Sequence, residues 1–179
     1  MSTAEPDPVW HAIAAVRVIR AFADRPLEPA HLDRILHAGR HAGSSKNLQR
    51  WTFIVVRDRA HLRELAAAGP WAGHLAGASL AIALVTPNPR APDAPLSIPF
   101  DLGRAAQNMV LAAWELGIGS VPATLYDHEV ARRVLGYPDD QHCEYVLSFG
   151  YPEDPADLVR PPQAGGRHEL DAIVREERW

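Results

Sequence analysis

Ser44-Ser45-Lys46-Asn47-Leu48-Gln49-Arg50-Trp51, running directly into Thr52-Phe53-Ile54-Val55-Val56, is the stretch that decides the fold. Residues 52–56 are short, β-branched and aromatic, and charges follow them, so they predict a buried strand. The turn in front crowds hydroxyl, amide and cationic side chains together. A buried strand has no use for so many hydrogen-bonding groups at its mouth, whereas a polar, planar ligand does. Loops at sheet ends are where such ligands bind in α/β architectures. Serine and asparagine also favour helix-capping turns, and on these residues alone the two readings stand level.

Working outward, Asp7-Pro8 reads as an N-cap with proline at the first helical position, opening a helix through Ile13 and Val16 towards Arg20. A second helix starts near Pro29, carries Leu32, Ile35 and Leu36 on one face, and is ended by Gly43. Downstream, Asp58 caps a helix bearing Leu62, Leu65 and Ala66, and 80–85 form a second continuous apolar strand. Residues 87–99 hold five prolines and predict an extended loop. From 101 to 117 runs the best-defined helix, capped by Asp101, with Leu102, Ala106, Met109, Ala113 and Leu116 on one face. Gln107, Leu111, Trp114 and Ile118 make a second stripe, so this helix is buried on two sides. A strand at 120–125, a helix at 127–135, a strand at 144–149 and a Pro- and Gly-rich tail complete the chain. Two helices followed by interleaved strands and helices predict an α+β or mixed α/β three-layer domain spanning 1–179.

At 179 residues the chain suits one domain with a sizeable core. A net charge of −4 argues against a nucleic-acid partner. No apolar run approaches the ~20 residues that span a bilayer, and the N-terminus lacks the pattern of a signal peptide. The single cysteine, Cys143, rules out an intrachain disulfide, so the expected setting is cytoplasmic. Cys143 itself reads as a passive strand residue.

Arg17 and Arg20, three apart at a helix end, would project as a pair, and two guanidinium forks match phosphate oxygens. A solvated basic face is the alternative. Gly43-Ser44-Ser45-Lys46 lacks the spacing of a Walker loop, no G-x-G-x-x-G turn follows a strand, and no serine sits in a G-x-S-x-G elbow. His37 and His41 have helical metal-pair spacing without a third ligand, so no metal is expected.

Four blocks in order resemble the nitroreductase family. Arg17-Val18-Ile19-Arg20-Ala21-Phe22 is similar to its R-x-x-R-x-F start, and Gly43 to Trp51 to its P-S-S-x-N-x-Q-P-W turn. Residues 101–119 are similar to its D-x-x-x-A-x-Q-N helix, and Leu135-Gly136-Tyr137-Pro138 with Phe149-Gly150-Tyr151-Pro152 to its closing bracket. The resemblance implies a three-layer α/β/α domain with a central mixed sheet. It also implies a domain-exchanged homodimer in which the tail, about 152–179, wraps the partner. FMN would be the cofactor and NAD(P)H the co-substrate. A nitroaromatic, quinone or related electron-poor small molecule would be reduced in ping-pong fashion, with no membrane or nucleic acid involved. By position, Arg17, Arg20 and Arg167 would hold the FMN phosphate beside Val18. Ser44, Ser45 and Asn47 would reach the partner's flavin. The backbone at Pro122, Ala123 and Thr124 would face its ring, and His74 would make a cationic contact to the pyrimidine edge. No side chain need be catalytic, because the flavin carries the chemistry. Val18 stands where the family has a serine, Arg50 where it has a proline, and Thr124-Leu125 lacks an acidic-Gly pair. The alternatives are a non-catalytic flavin- or deazaflavin-binding module, a flavin-modifying relative, or a dimeric domain that has lost its cofactor.

Overall fold

In the computed structural model, residues 7–161 and 165–179 are described. Most of the N-terminal stretch read for a targeting signal, and residues 162–164 of the tail, lie outside them. Four strands form one sheet: β1 (Thr52–Val56), β2 (Leu80–Pro87), β3 (Gly119–Thr124) and β4 (Gln141–Gly150), in the order β1-β2-β4-β3. β2 and β4 occupy the centre, where every backbone group can be paired and both faces are covered. Their side chains alternate between two core layers. Leu80, Ile82, Leu84, Leu147 and Phe149 pack against α2 (Pro29–Arg40) and α4 (Ser97–Glu115). Ala81, Ala83, Val85, Cys143 and Val146 pack against α3 (Arg59–Ala67) and α5 (His128–Leu135). Period-2 alternation with both faces apolar is what makes 80–85 of β2 read as an unbroken hydrophobic run.

The mixed sheet expected from the resemblance is corrected: every strand pair is antiparallel. Burial on both faces sets the apolar pattern and leaves strand direction to the connections, so sequence carried no signal for it. Among the described residues the one parallel pairing is an isolated bridge between Val18 and Ser120.

Two helix boundaries also move. The first helix, α1, is Pro8–Ala15 and stops short of Arg17. Residues 16–22 run extended along the β3 edge, with Ile19 buried and its N–H donating to the Ser120 carbonyl at 3.1 Å. α4 begins at Ser97, four residues before Asp101, with Pro99 in its first turn, where a missing N–H costs nothing. The second stripe of α4 is covered only in part: Ile118 is buried, Leu111 and Trp114 are half-buried, and Gln107 is exposed. Trp114 meets His11 edge-to-face at 5.4 Å and donates through Nε1 to the Leu158 carbonyl at 3.4 Å.

Gly119 and Gly150 pair directly across β3 and β4, and the extended segment lies on them. A Cβ at Gly119 would stand 2.8 Å from Ile19, and one at Gly150 2.8 Å from the Phe22 ring. The glycines therefore seat the stretch that carries Arg17, Val18 and Arg20.

Cys143 is fully buried, which pushes its thiol up to about 12. A thiol-specific reagent at pH 8 is expected to leave the native chain unmodified and to titrate one thiol after denaturation. Because the folded value lies above the unfolded one, this group's contribution to stability is complete below the unfolded pKa. It is lost as pH rises towards the folded value.

Candidate functional site

The extended conformation of 16–22 separates the two arginines, since residues three apart on an extended chain face opposite ways. Arg17 turns back to the end of α1. Its guanidinium donates to the carbonyls of Ala14 at 2.8 Å, Val16 at 2.9 Å and Arg160 at 3.1 Å. Cations belong at a helix C-terminus, where unpaired carbonyls gather. Arg160 in turn donates to the Val18 carbonyl at 2.6 Å. Arg20 goes the other way, exposed and close enough to His74 to act on its protonation.

His74 sits on the short 3-10 helix Gly73–Gly77, half-buried against β3 and β4. Its Nδ1 lies 2.9 Å from Ser148 Oγ, and the Ser148 hydroxyl donates to the Val121 carbonyl at 3.2 Å. Where that proton is given to Val121, Ser148 Oγ accepts from His74 Nδ1. Nε2 is buried and without a hydrogen-bond partner among the described residues. Desolvation, then the Arg20 charge, hold the His74 pKa below its usual value, against a smaller opposing effect from the Pro122 carbonyl. The cation at this point is therefore Arg20, and His74 is a neutral imidazole beside it.

Pro122 is exposed on β3, an edge strand, which is where a sheet tolerates a residue without an N–H. Ala123 is buried and Thr124 half-buried. Gly69 approaches so closely that a Cβ there would collide with the Thr124 carbonyl oxygen, which fixes the backbone at 122–124 from behind. Arg20, His74, Ser148 and β3 thus make one polar corner with a buried, unpartnered ring nitrogen.

The Ser44–Trp51 turn stands before β1, at the far edge of the sheet and three strand steps of ~4.8 Å from β3. Lys46, Asn47 and Gln49 all have positive φ, at 51°, 55° and 47°. Besides its own backbone bonds, the turn is held where the Ser45 N–H donates to Asp101 Oδ2 at 2.8 Å and the Gln49 N–H to Ser44 Oγ at 3.0 Å. Asp101, read from sequence as the cap of its own helix, is instead buried inside α4 and caps this turn. Ser45, Lys46 and Asn47 are exposed. Within one chain the structure does not bring them to Arg20 and His74. Arg167 is exposed on the C-terminal arm, and among the described residues no hydrogen bond or ion pair joins it to Arg17 or Arg20. Sequence reading missed Ser148, whose signal was a hydroxyl among the apolar residues Val146, Leu147 and Phe149, and misassigned Asp101. Nothing in the structure explains Arg50.

A family model described as the nitroreductase family matches residues 13–73 and 70–151. The chain is 37% identical over 166 residues to a protein of Archaeoglobus fulgidus named "Putative NADH dehydrogenase/NAD(P)H nitroreductase", covering 90% of this chain and 93% of that one. A solved structure of the same name from Parabacteroides distasonis superposes with a TM-score of 0.84 at 26% identity, covering 97% and 99% of the two chains. An FMN-dependent nitroreductase structure from Clostridium difficile gives 0.77 at 26% identity, covering 93% and 99%.

Proposed function

The chain belongs to the nitroreductase family of oxidoreductases, and on that premise we propose that it binds FMN and passes electrons from NAD(P)H to an electron-poor small molecule such as a nitroaromatic or quinone. The observation that carries this reading is the polar corner at β3. A buried, unpartnered His74 Nε2 beside a solvent-facing guanidinium, on an edge strand with no strand beside 122–124 among the described residues, fits a heteroaromatic ligand with polar edge atoms.

When bound, FMN supplies hydride acceptance from NAD(P)H and delivery to the acceptor in a ping-pong cycle. The chain's own residues bind and orient. Arg20 places a positive charge where the ring accumulates negative charge on reduction. His74, its ring fixed by Ser148, would offer Nε2 to a polar edge atom of the ligand. The backbone of 122–124, held by Gly69, would face it. In this arrangement Arg20 serves the ring end rather than the phosphate, and Arg17 shapes the end of α1 and the approach of Arg160. Arg167 remains the candidate for the phosphate, brought in by the C-terminal arm.

The turn at 44–47 completes the site from a second copy. A homodimer is supported by apolar surface that the chain leaves uncovered: Val9, Trp10 and Ile13 on α1, and Leu170, Ile173 and Trp179 on the arm are all at least half exposed. Among the described residues β1 has no strand on its outer edge, beside a groove of about 360 Å³ lined by Leu36, Trp51 and Phe53 with Asp33, His37 and Arg40. The arm of the partner is the proposed occupant. A mass measurement in solution checks this, with a dimer expected at micromolar concentration and a strict monomer counting against a shared site.

The test of function is spectroscopic. Purified protein is expected to be yellow, to release FMN on denaturation, and to bleach with NADH or NADPH. A colourless protein that FMN does not reconstitute would overturn the proposal. A yellow protein that neither nicotinamide reduces would favour a binding module.

A further inference from the structure

The expectation of no metal came from spacing along the chain, yet folding gathers a ligand set that spacing conceals. His128 opens α5, and His142 and Glu144 lie on β4. One ring nitrogen of each histidine and a Glu144 carboxylate oxygen lie within 4.8 Å of one another. The imidazole centroids are 4.5 Å apart, and His142 Nε2 is 2.9 Å from Glu144 Oε2. The side chains of His142 and Glu144 are only 10% and 17% exposed. His128 Nδ1 is buried with no hydrogen-bond partner among the described residues, an arrangement that costs free energy unless something occupies it.

The backbone is shaped for the cluster. The register of β2 on β4 slips between Leu84 and Val85, so that Tyr145 and Cys143 face consecutive residues and Glu144 is the extra one. Cys143 and Val146, an odd number apart, consequently reach the same core layer. β-Bulges of this kind re-aim a side chain, and Glu144 is the one re-aimed.

We propose that His128, His142 and Glu144 bind a divalent transition-metal ion of the zinc class, at a site separate from the β3 corner. Two imidazoles and a carboxylate with an open fourth position are a common zinc donor set. Zinc–ligand bonds of ~2.0–2.1 Å place tetrahedral donors about 3.3 Å apart, so the closest pair is already near that spacing. The remaining nitrogen, within 4.8 Å of the others, has at most about 1.5 Å to close. Arg90 donates to Glu144 Oε1 at 2.6 Å, leaving Oε2 for the ion and fixing the carboxylate plane as outer-shell partners do. Its positive charge also weakens the site, so the ion is exchangeable rather than a closed structural zinc. His142 and Glu144 line a cavity of about 180 Å³ with Leu84, Ile98 and Leu102, through which water completes the shell.

The experiment uses the full chain, stripped by a chelator and titrated with Zn²⁺ against a chromophoric competitor. One ion per chain is expected, and His128→Ala and His142→Ala should each weaken binding by more than about tenfold. A His37→Ala/His41→Ala double variant should bind as the unaltered chain does. Co²⁺ gives a readout that needs no variant: strong visible bands of a low-coordinate site are expected. Weak bands of an octahedral hydrated ion, equal Zn²⁺ affinity in the His128 and His142 variants, or loss of binding in the α2 double variant would each overturn the proposal.

Discussion

Arg20→Ala is expected to lower FMN affinity roughly 10- to 150-fold, the range that follows from losing one charge-assisted hydrogen bond of about 1.5–3 kcal/mol. The measurement is fluorescence titration of the flavin-free protein with FMN. Arg20 is the cation positioned for this effect because it stands exposed beside His74, whereas the Arg17 guanidinium is spent on three backbone carbonyls. Arg17→Ala should therefore act mainly through stability, loosening the end of α1 and the 158–160 segment, and should change FMN affinity less. The reverse order of effects would show that the phosphate, and not the ring, is the partner of this stretch. A second consequence concerns His74. Its folded pKa is lowered, so the neutral form contributes stability above the ordinary histidine range, and that contribution is lost as pH falls through the folded value. His74→Asn should flatten the loss of FMN retention on mild acidification. An unaltered acid profile in that variant would count against His74 as a flavin contact.

Gly150→Ala is expected to destabilise the fold by about 1–3 kcal/mol, the usual cost of adding a methyl group to a filled core. For a chain of this size that is a fall in Tm of roughly 2–12 °C. The added carbon would stand 2.8, 2.9 and 3.0 Å from three atoms of Phe22, and Phe22 cannot withdraw freely because its backbone bridges to Pro152. The stretch from Arg17 to Phe22 would shift, so FMN affinity should fall in the same variant. Gly103→Ala is the control. It lies within α4 with nothing within 4 Å of the added Cβ, and should stabilise by about 0.5–1 kcal/mol through helix propensity. Equal behaviour of the two variants would show that Gly150 is not a seat for the extended segment.

The sequence determined the elements and their order. The β-branched and aromatic run at 52–56, the continuous apolar run at 80–85, the two stripes of α4, and the blocks around Ser44 and Gly150 fixed the α+β class and the family. Those are local or periodic properties, set by which residues can be buried on one face or two. Tertiary structure alone decided the rest. It made the sheet antiparallel, because burial patterns carry no strand direction. It ended α1 at Ala15 and pulled 16–22 onto paired glycines, so that Arg17 and Arg20 part company. It turned Asp101 from a cap of its own helix into the anchor of the Ser45 turn, and it brought His128 to His142 and Glu144 through a bulge. Each of these depends on contacts between segments far apart in the chain, and no period or spacing in a single stretch encodes them.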